Sequence, residues 1–193
     1  MALSIGTNKI KTAVFISGTG SNLRSLIKFS KLKKTPISIE LIISDNTKSK
    51  GLKYSRLFKI KKKIFYFKNK TLSEKKILNE LKKNGISFIC LAGFMKVLSK
   101  NFIKNFQGKI INIHPSLLPK YKGLNTHERA IKNGEKFSGC TVHYVNSKID
   151  SGKIILQKKV KIFKGETPKT LRKKILIQEH KLFPKAITKI FNS

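Results

Sequence analysis

Apolar residues in this chain follow two rhythms. Short, near-continuous runs occur at residues 11–17 (KTAVFIS), 37–44 (ISIELIIS), 64–67 (IFYF) and 86–94 (ISFICLAGF). Between them, apolar positions recur at three- and four-residue spacing, as in Leu23, Leu26 and Ile27, and again in Ile77, Leu78 and Leu81. The first pattern predicts strands covered on both faces and the second predicts helices that cover them. Helices are expected after Gly20, over about 51–60, from a Ser73 cap through 83, and from a Ser99 cap to near Phe106. The second half changes character. A short helix at 126–133 precedes two alternating segments, 138–146 and 154–160, joined by the turn Ile149-Asp150-Ser151-Gly152. A last helix starts at Thr167-Pro168 and is expected to break near Pro184. The pattern predicts an α/β fold: a Rossmann-like, doubly wound, mostly parallel sheet with a late antiparallel hairpin.

The chain is organised around residues 109–123, KIINIHPSLLPKYKG. In an extended strand Asn112 and His114 share a face, and Pro115 ends the strand immediately after them. A carboxamide and an imidazole then project together from a strand's carboxyl end, the edge where open α/β sheets bind ligands. Asn112 can donate to a developing oxyanion, and His114 can move a proton near neutral pH. Asp150 either makes an ordinary Asx turn or supplies the carboxylate that raises the pKa of His114. His143, in an alternating strand, reads as structural. Ser116 lacks a nucleophile-elbow pattern, and no His, Cys or Asp cluster has metal-ligand spacing.

A second motif is Gly18-Thr19-Gly20-Ser21-Asn22, between the first strand and the first helix, with Ser21 or Asn22 as the expected cap. Free amides at such a helix start suit an anion. A dinucleotide fingerprint would put a third glycine where Leu23 stands, so a single phosphate fits better than a pyrophosphate.

Composition changes this picture little. The 193 residues suit one domain, with a phosphate-binding half at about 11–106 and a catalytic half at about 107–193. Lys and Arg number 43 against nine acidic residues, a net charge of +34. The lysines are spread along the chain, and the arginines are only Arg24, Arg56, Arg129 and Arg172. A nucleic-acid reader concentrates Arg and aromatics in one patch, so the excess reads as compositional bias and no specific nucleic-acid partner is expected. No apolar run approaches the roughly 20 residues of a bilayer span, nor is there a secretory signal pattern. A cytoplasmic protein with no membrane partner is expected, with Cys90 and Cys140 as reduced, buried thiols.

Four stretches together, SGTGSN at 17–22, LAGFMKVLS at 91–99, NIHPSLLPKYKG at 112–123 and DSGKIILQ at 150–157, resemble the 10-formyltetrahydrofolate-dependent glycinamide ribonucleotide formyltransferases of purine synthesis. The likeness runs in order from about residue 12 to the QEH at 178–180. It implies a formyltransferase fold and transfer of a formyl group from 10-formyltetrahydrofolate, as co-substrate and without a metal, to the ribonucleotide's amine. It implies catalytic roles for Asn112, His114 and Asp150, and a phosphate site at Gly20, Ser21 and Asn22. Glu179 would contact the ribonucleotide. Folate would lie against Met95, Lys96, Val97, Leu98, Asn112, Asn146, Ser147, Lys148, Ile149 and Asp150, in a monomer or homodimer.

Two positions depart from the family. An arginine near the folate's glutamyl tail falls at Ser73-Glu74 here, with Lys75 or Lys76 as substitutes, and a frequent histidine is Asn125. The alternatives are a formyltetrahydrofolate hydrolase and a methionyl-tRNA formyltransferase. The phosphate loop and the lack of an added N-terminal regulatory domain speak against the first. The short C-terminal stretch speaks against the second, and a non-catalytic RNA-binding protein would show steeply salt-dependent polyanion binding.

Overall fold

The computed structural model describes residues 9–191. Seven strands form one sheet in the order β3-β2-β1-β4-β5-β6-β7: β1 (Ile10–Ile16), β2 (Ile37–Ser44), β3 (Lys61–Ile64), β4 (Phe88–Leu91), β5 (Lys109–His114), β6 (Phe137–Tyr144) and β7 (Ile154–Lys161). Strands β1 to β5 pair in parallel, whereas β6 and β7 join antiparallel as the expected hairpin. Six helices flank the sheet: α1 (Ser21–Ser30), α2 (Lys53–Phe58), α3 (Lys70–Lys83), α4 (Lys100–Asn105), α5 (Thr126–Lys132) and α6 (Pro168–Phe191).

Alternation along β1 explains the two-sided core. Ala13 and Phe15 face a cluster with Ile77, Leu81 and Phe102 from α3 and α4. Val14 and Ile16 face the other, with Leu23, Leu26, Ile175 and Phe183 from α1 and α6. All four β1 residues are fully buried, as a central parallel strand requires. β1 has β2 on one side and β4 on the other, so the chain reverses its direction across the sheet there. The loops after β1 and β4 part at that switch point and open a cleft. Ser17 N–H donates to Gly93 O at 3.0 Å, and Met95 N–H to Ser17 Oγ at 2.8 Å, joining the two loops at their bases.

Several boundaries differ from the sequence reading. β3 comprises Lys61, Lys62, Lys63 and Ile64 rather than 64–67, pairing with Leu41 through Ser44. An edge strand needs only backbone on one side, and exposed lysines suit it because they deter further pairing. Phe65 and Phe67, which follow, turn onto the core while Tyr66 stays exposed, and Phe67 meets Phe94 edge-on at 5.7 Å. Helix α3 starts earlier, capped by Asn69, which accepts from Leu72 N–H at 3.0 Å; Ser73 instead donates to Tyr66 O.

Helix α6 runs straight through Pro184. Proline lacks the N–H that would bond the carbonyl of residue 180, and that carbonyl is satisfied from outside by Ser25 Oγ at 2.9 Å. Ser99 caps α4 as expected, accepting from Phe102 N–H. Cys90 and Cys140 are free and buried; burial pushes both thiols up, Cys140 to about 12.

Candidate active site

The carboxyl ends of β1, β4 and β5 open onto a cleft of about 950 Å³. One wall is the glycine loop. Gly20, at φ 71°, is the N-cap of α1, and neither Ser21 nor Asn22 caps it with a side chain. Only glycine adopts that conformation cheaply. Space demands it too: a Cβ on Gly20 would come within 2.6 Å of Gly51 Cα. Gly51 N–H and Ser49 Oγ both donate to Gly18 O, tying this loop to the one after β2. Asn22 is redirected across the cleft floor, donating from Nδ2 to Glu179 Oε2 at 2.7 Å. Burial raises the Glu179 carboxyl above its ordinary value, against the opposing pull of that bond and of Arg172.

The opposite wall carries the polar centre. In the β5–β6 pairing Asn112 lies directly across from His143, and His114 across from Thr141. The turn after β6 returns Asp150 to the same place in a left-handed conformation, φ 44°, which aspartate tolerates better than most residues. Asp150 Oδ2 accepts from Gly123 N–H at 2.9 Å and lies 3.3 Å from His114 Nδ1. Asp150 Oδ1 lies 3.4 Å from Asn112 Nδ2 and 3.5 Å from His143 Nε2. The three residues singled out from sequence therefore meet, and His143 makes a fourth.

Hydrogen-bond direction follows from the carbonyls. His114 Nε2 is 2.8 Å from Tyr121 O, so that nitrogen carries a proton and Nδ1 faces the carboxylate. His143 Nδ1 is 2.8 Å from Tyr144 O, so Nδ1 donates and Nε2 accepts from Asn112 at 3.2 Å. This fixes the Asn112 amide. Its second hydrogen points at Asp150 Oδ1, at the long distance of 3.4 Å.

Burial lowers the His114 pKa below its ordinary 6.5 and outweighs the Tyr121 carbonyl and Asp150, which both raise it. The expectation that Asp150 raises this pKa thus holds for the interaction but not for the net result. Burial also pushes Asp150 upward. There the neighbouring His143 ring, the Gly123 amide and the charge of His114 win, leaving its pKa lowered. Near neutral pH the pair is therefore a neutral imidazole facing a carboxylate, with Nδ1 open to accept a proton.

Of the residues expected at the site, Gly20, Ser21, Asn22, Met95, Lys96, Val97, Leu98, Asn112, His114, Asn146, Lys148, Ile149, Asp150 and Glu179 line the cleft; Ser147 does not. Lys75 and Lys76 are exposed on α3 and do not line it either. Glu74 is buried and accepts from both the backbone and hydroxyl of Ser99, anchoring the end of the 95–98 loop. Asn125 is the N-cap of α5, at φ 56°. Ser116 is buried and donates to Lys120 O, a structural contact.

Sequence reasoning took His143 as structural and gave no role to His127 or Arg172, yet all three line the cleft. The cross-strand register that brings His143 to Asn112 could not be read without pairing the strands. His127 lines the cleft with a buried, unpartnered Nδ1, and burial, then Arg172 and His114, lower its pKa to about 4. Among the described residues no group of three His, Cys, Asp or Glu is arranged to hold a metal ion.

Residues 10–187 match the formyl transferase family. The chain is 39% identical over 180 residues to the phosphoribosylglycinamide formyltransferase of Haemophilus influenzae, covering 92% of this chain and 85% of that one. It is 40% identical over 187 residues to the human trifunctional purine biosynthetic protein adenosine-3, of which it spans only 18%. The crystal structure of phosphoribosylglycinamide formyltransferase from Brucella melitensis superposes with a TM-score of 0.90 at 39% identity, covering 95% of this chain and 96% of that one.

Proposed function

This chain belongs to the formyl transferase family, and we propose that it transfers the formyl group of 10-formyltetrahydrofolate to the amine of glycinamide ribonucleotide, in purine biosynthesis. The observation that carries the reading is the meeting of Asn112, His114 and Asp150 in one cleft with a glycine loop suited to a phosphate. The cleft suits the folate as well. The loop 95–98 presents exposed Met95 and Val97 as an apolar wall, and Ile149 is exposed across from it.

Amine attack on a formyl carbon places negative charge on oxygen and positive charge on the attacking nitrogen. Asn112 answers the oxyanion with the amide hydrogen that Asp150 holds at long range, its carboxamide oriented by His143. The His114–Asp150 pair takes the proton released by the attacking amine at Nδ1 and returns it to the folate nitrogen as the carbon–nitrogen bond breaks. The amine loses one proton and the leaving nitrogen gains one, so nothing else is consumed. Gly20, Ser21 and Asn22 hold the phosphate by backbone and side-chain donors, and Glu179 holds the ribonucleotide beside them. Water as sole acceptor would make the protein a hydrolase, but a phosphate loop gives that reaction nothing.

The reading places the reaction in the cytoplasm, where free thiols such as Cys90 and Cys140 stay reduced. No described helix is long and apolar enough to cross a membrane. Formyl transfer measured with glycinamide ribonucleotide, beside a reaction with water alone, tests the proposal. Ribonucleotide-dependent release of tetrahydrofolate is expected, and release that ignores the ribonucleotide would sink it.

A further inference from the structure

We propose that Arg172 is a substrate-binding residue that supplies the positive charge the glycine loop lacks, gripping the phosphate of the ribonucleotide from the α6 side of the cleft. This rests on the ribonucleotide reading above. The loop from Gly18 to Asn22 offers amides and hydroxyls but no cation, and the nearest basic residue of α1, Arg24, does not line the cleft. A phosphate monoester near neutral pH carries close to two charges. Amides and a helix start alone leave it under-neutralised.

Helix α6 presents Lys169, Arg172, Leu176 and Glu179 to the cleft, at spacings of three and four that keep them on one face. Glu179 is bonded to Asn22 of the loop, which fixes that face against the phosphate site. Arg172 stands two turns away along the same face, about 10 Å by helix rise, a gap its long side chain shortens. Its charge is felt by both Glu179 and His127, two other residues that line the cleft.

Among the described residues Arg172 has no hydrogen bond and no ion pair. Of the other cations lining the cleft, Lys169 shares this face but stands one turn further from Glu179, ten residues away in the chain. Lys96 lies 4.0 Å from Asp45 on the far wall, and Lys148 belongs to the turn beside Asp150. Arg172 is the one guanidinium lining the cleft, and its planar fork matches two phosphate oxygens as an ammonium cannot. It also sets off the like charge of Glu179, which would otherwise repel the phosphate held next to it.

The test uses the intact protein, with Arg172→Gln, Arg172→Lys and, as a control of equal charge change, Lys173→Gln, an exposed neighbour that does not line the cleft. Ribose 5-phosphate binding is titrated directly, and KM values for glycinamide ribonucleotide and the folate are measured beside it. Arg172→Gln should weaken ribose 5-phosphate binding and raise the ribonucleotide KM roughly 10–100-fold, with kcat and the folate KM changed little. Arg172→Lys should recover only part of the loss, and Lys173→Gln should behave as wild type. Equal losses in Arg172→Gln and Lys173→Gln would reduce Arg172 to a share of the general positive field and overturn the proposal. So would wild-type affinity in Arg172→Gln, or a wild-type protein that does not bind ribose 5-phosphate. A wild-type protein that binds ribose 5-phosphate through Arg172 but formylates no ribonucleotide would instead defeat the proposed reaction and leave the phosphate grip standing.

Discussion

The two walls of the cleft are built on opposite principles. The glycine loop works through backbone, and its shape is enforced by what is missing: Gly20 and Gly51 pack so closely that neither tolerates a Cβ without movement. The polar centre works through side chains, and its shape is enforced by strand register, which sets Asn112 opposite His143 and lets the following turn bring Asp150 back. At Gly20 and Gly51 the first wall has no room for an added atom. The second would survive small changes of volume, but it depends on each proton and lone pair facing the right partner.

That contrast is broken most severely at Asp150. Asp150→Asn keeps the volume but removes the charge facing His114 Nδ1 and replaces one of the two acceptor oxygens with a donor. Turnover should fall about 10²–10⁴-fold while ribonucleotide affinity changes little. Because Asp150 raises the His114 pKa, its loss should move that pKa still further below 6.5. Steady-state kinetics with histidine titration by NMR reads both, and unchanged values of both would separate the pair.

The complementary change is Gly20→Val, which meets Gly51 Cα and forces a β-branched residue to a positive φ. Ribonucleotide binding should be largely lost and stability lowered by about 2–4 kcal/mol, with folate affinity nearly intact in the folded fraction. Calorimetric titration of each ligand distinguishes the walls, and a folate loss matching the ribonucleotide loss would merge them.

A smaller effect concerns acid. The folded His127 pKa is lowered to about 4 from 6.5. Between those values the unfolded chain binds a proton that the folded chain refuses, so stability rises with pH across that window and is lost as pH falls through it. His127→Gln should flatten the pH dependence of denaturant unfolding between about pH 6.5 and 4 by roughly 1–2 kcal/mol, allowing for the ring's partial exposure. An identical slope in the variant would exclude His127 as its source.

Where one rule acted alone, the sequence was readable. β2 occupies the expected 37–44, Ser99 caps its helix, and strand period sets Asn112 and His114 together. Asp150 was left open by its turn and picked out by the family resemblance; strand pairing returns it to His114. The misreadings fall where tertiary partners replaced local ones. The break expected at Pro184 ignored Ser25, a residue of another helix that satisfies the orphaned carbonyl. The apolar segment 64–67 was strand-like but found its use in the core, leaving the lysines before it to make the edge. His143 and Arg172 join the site through pairing and docking that no short window contains.

The bond from Asn22 to Glu179 links residues 157 apart in the chain, and its neighbour from Ser25 to His180 spans 155. Contacts of such separation form late, after the loop between them has been closed by other structure. A chain emerging from the ribosome has every residue of the polar centre in hand before any of α6 has been made. The chain thus completes the polar centre proposed to move the proton first, and the proposed nucleotide site is finished only when the last helix docks.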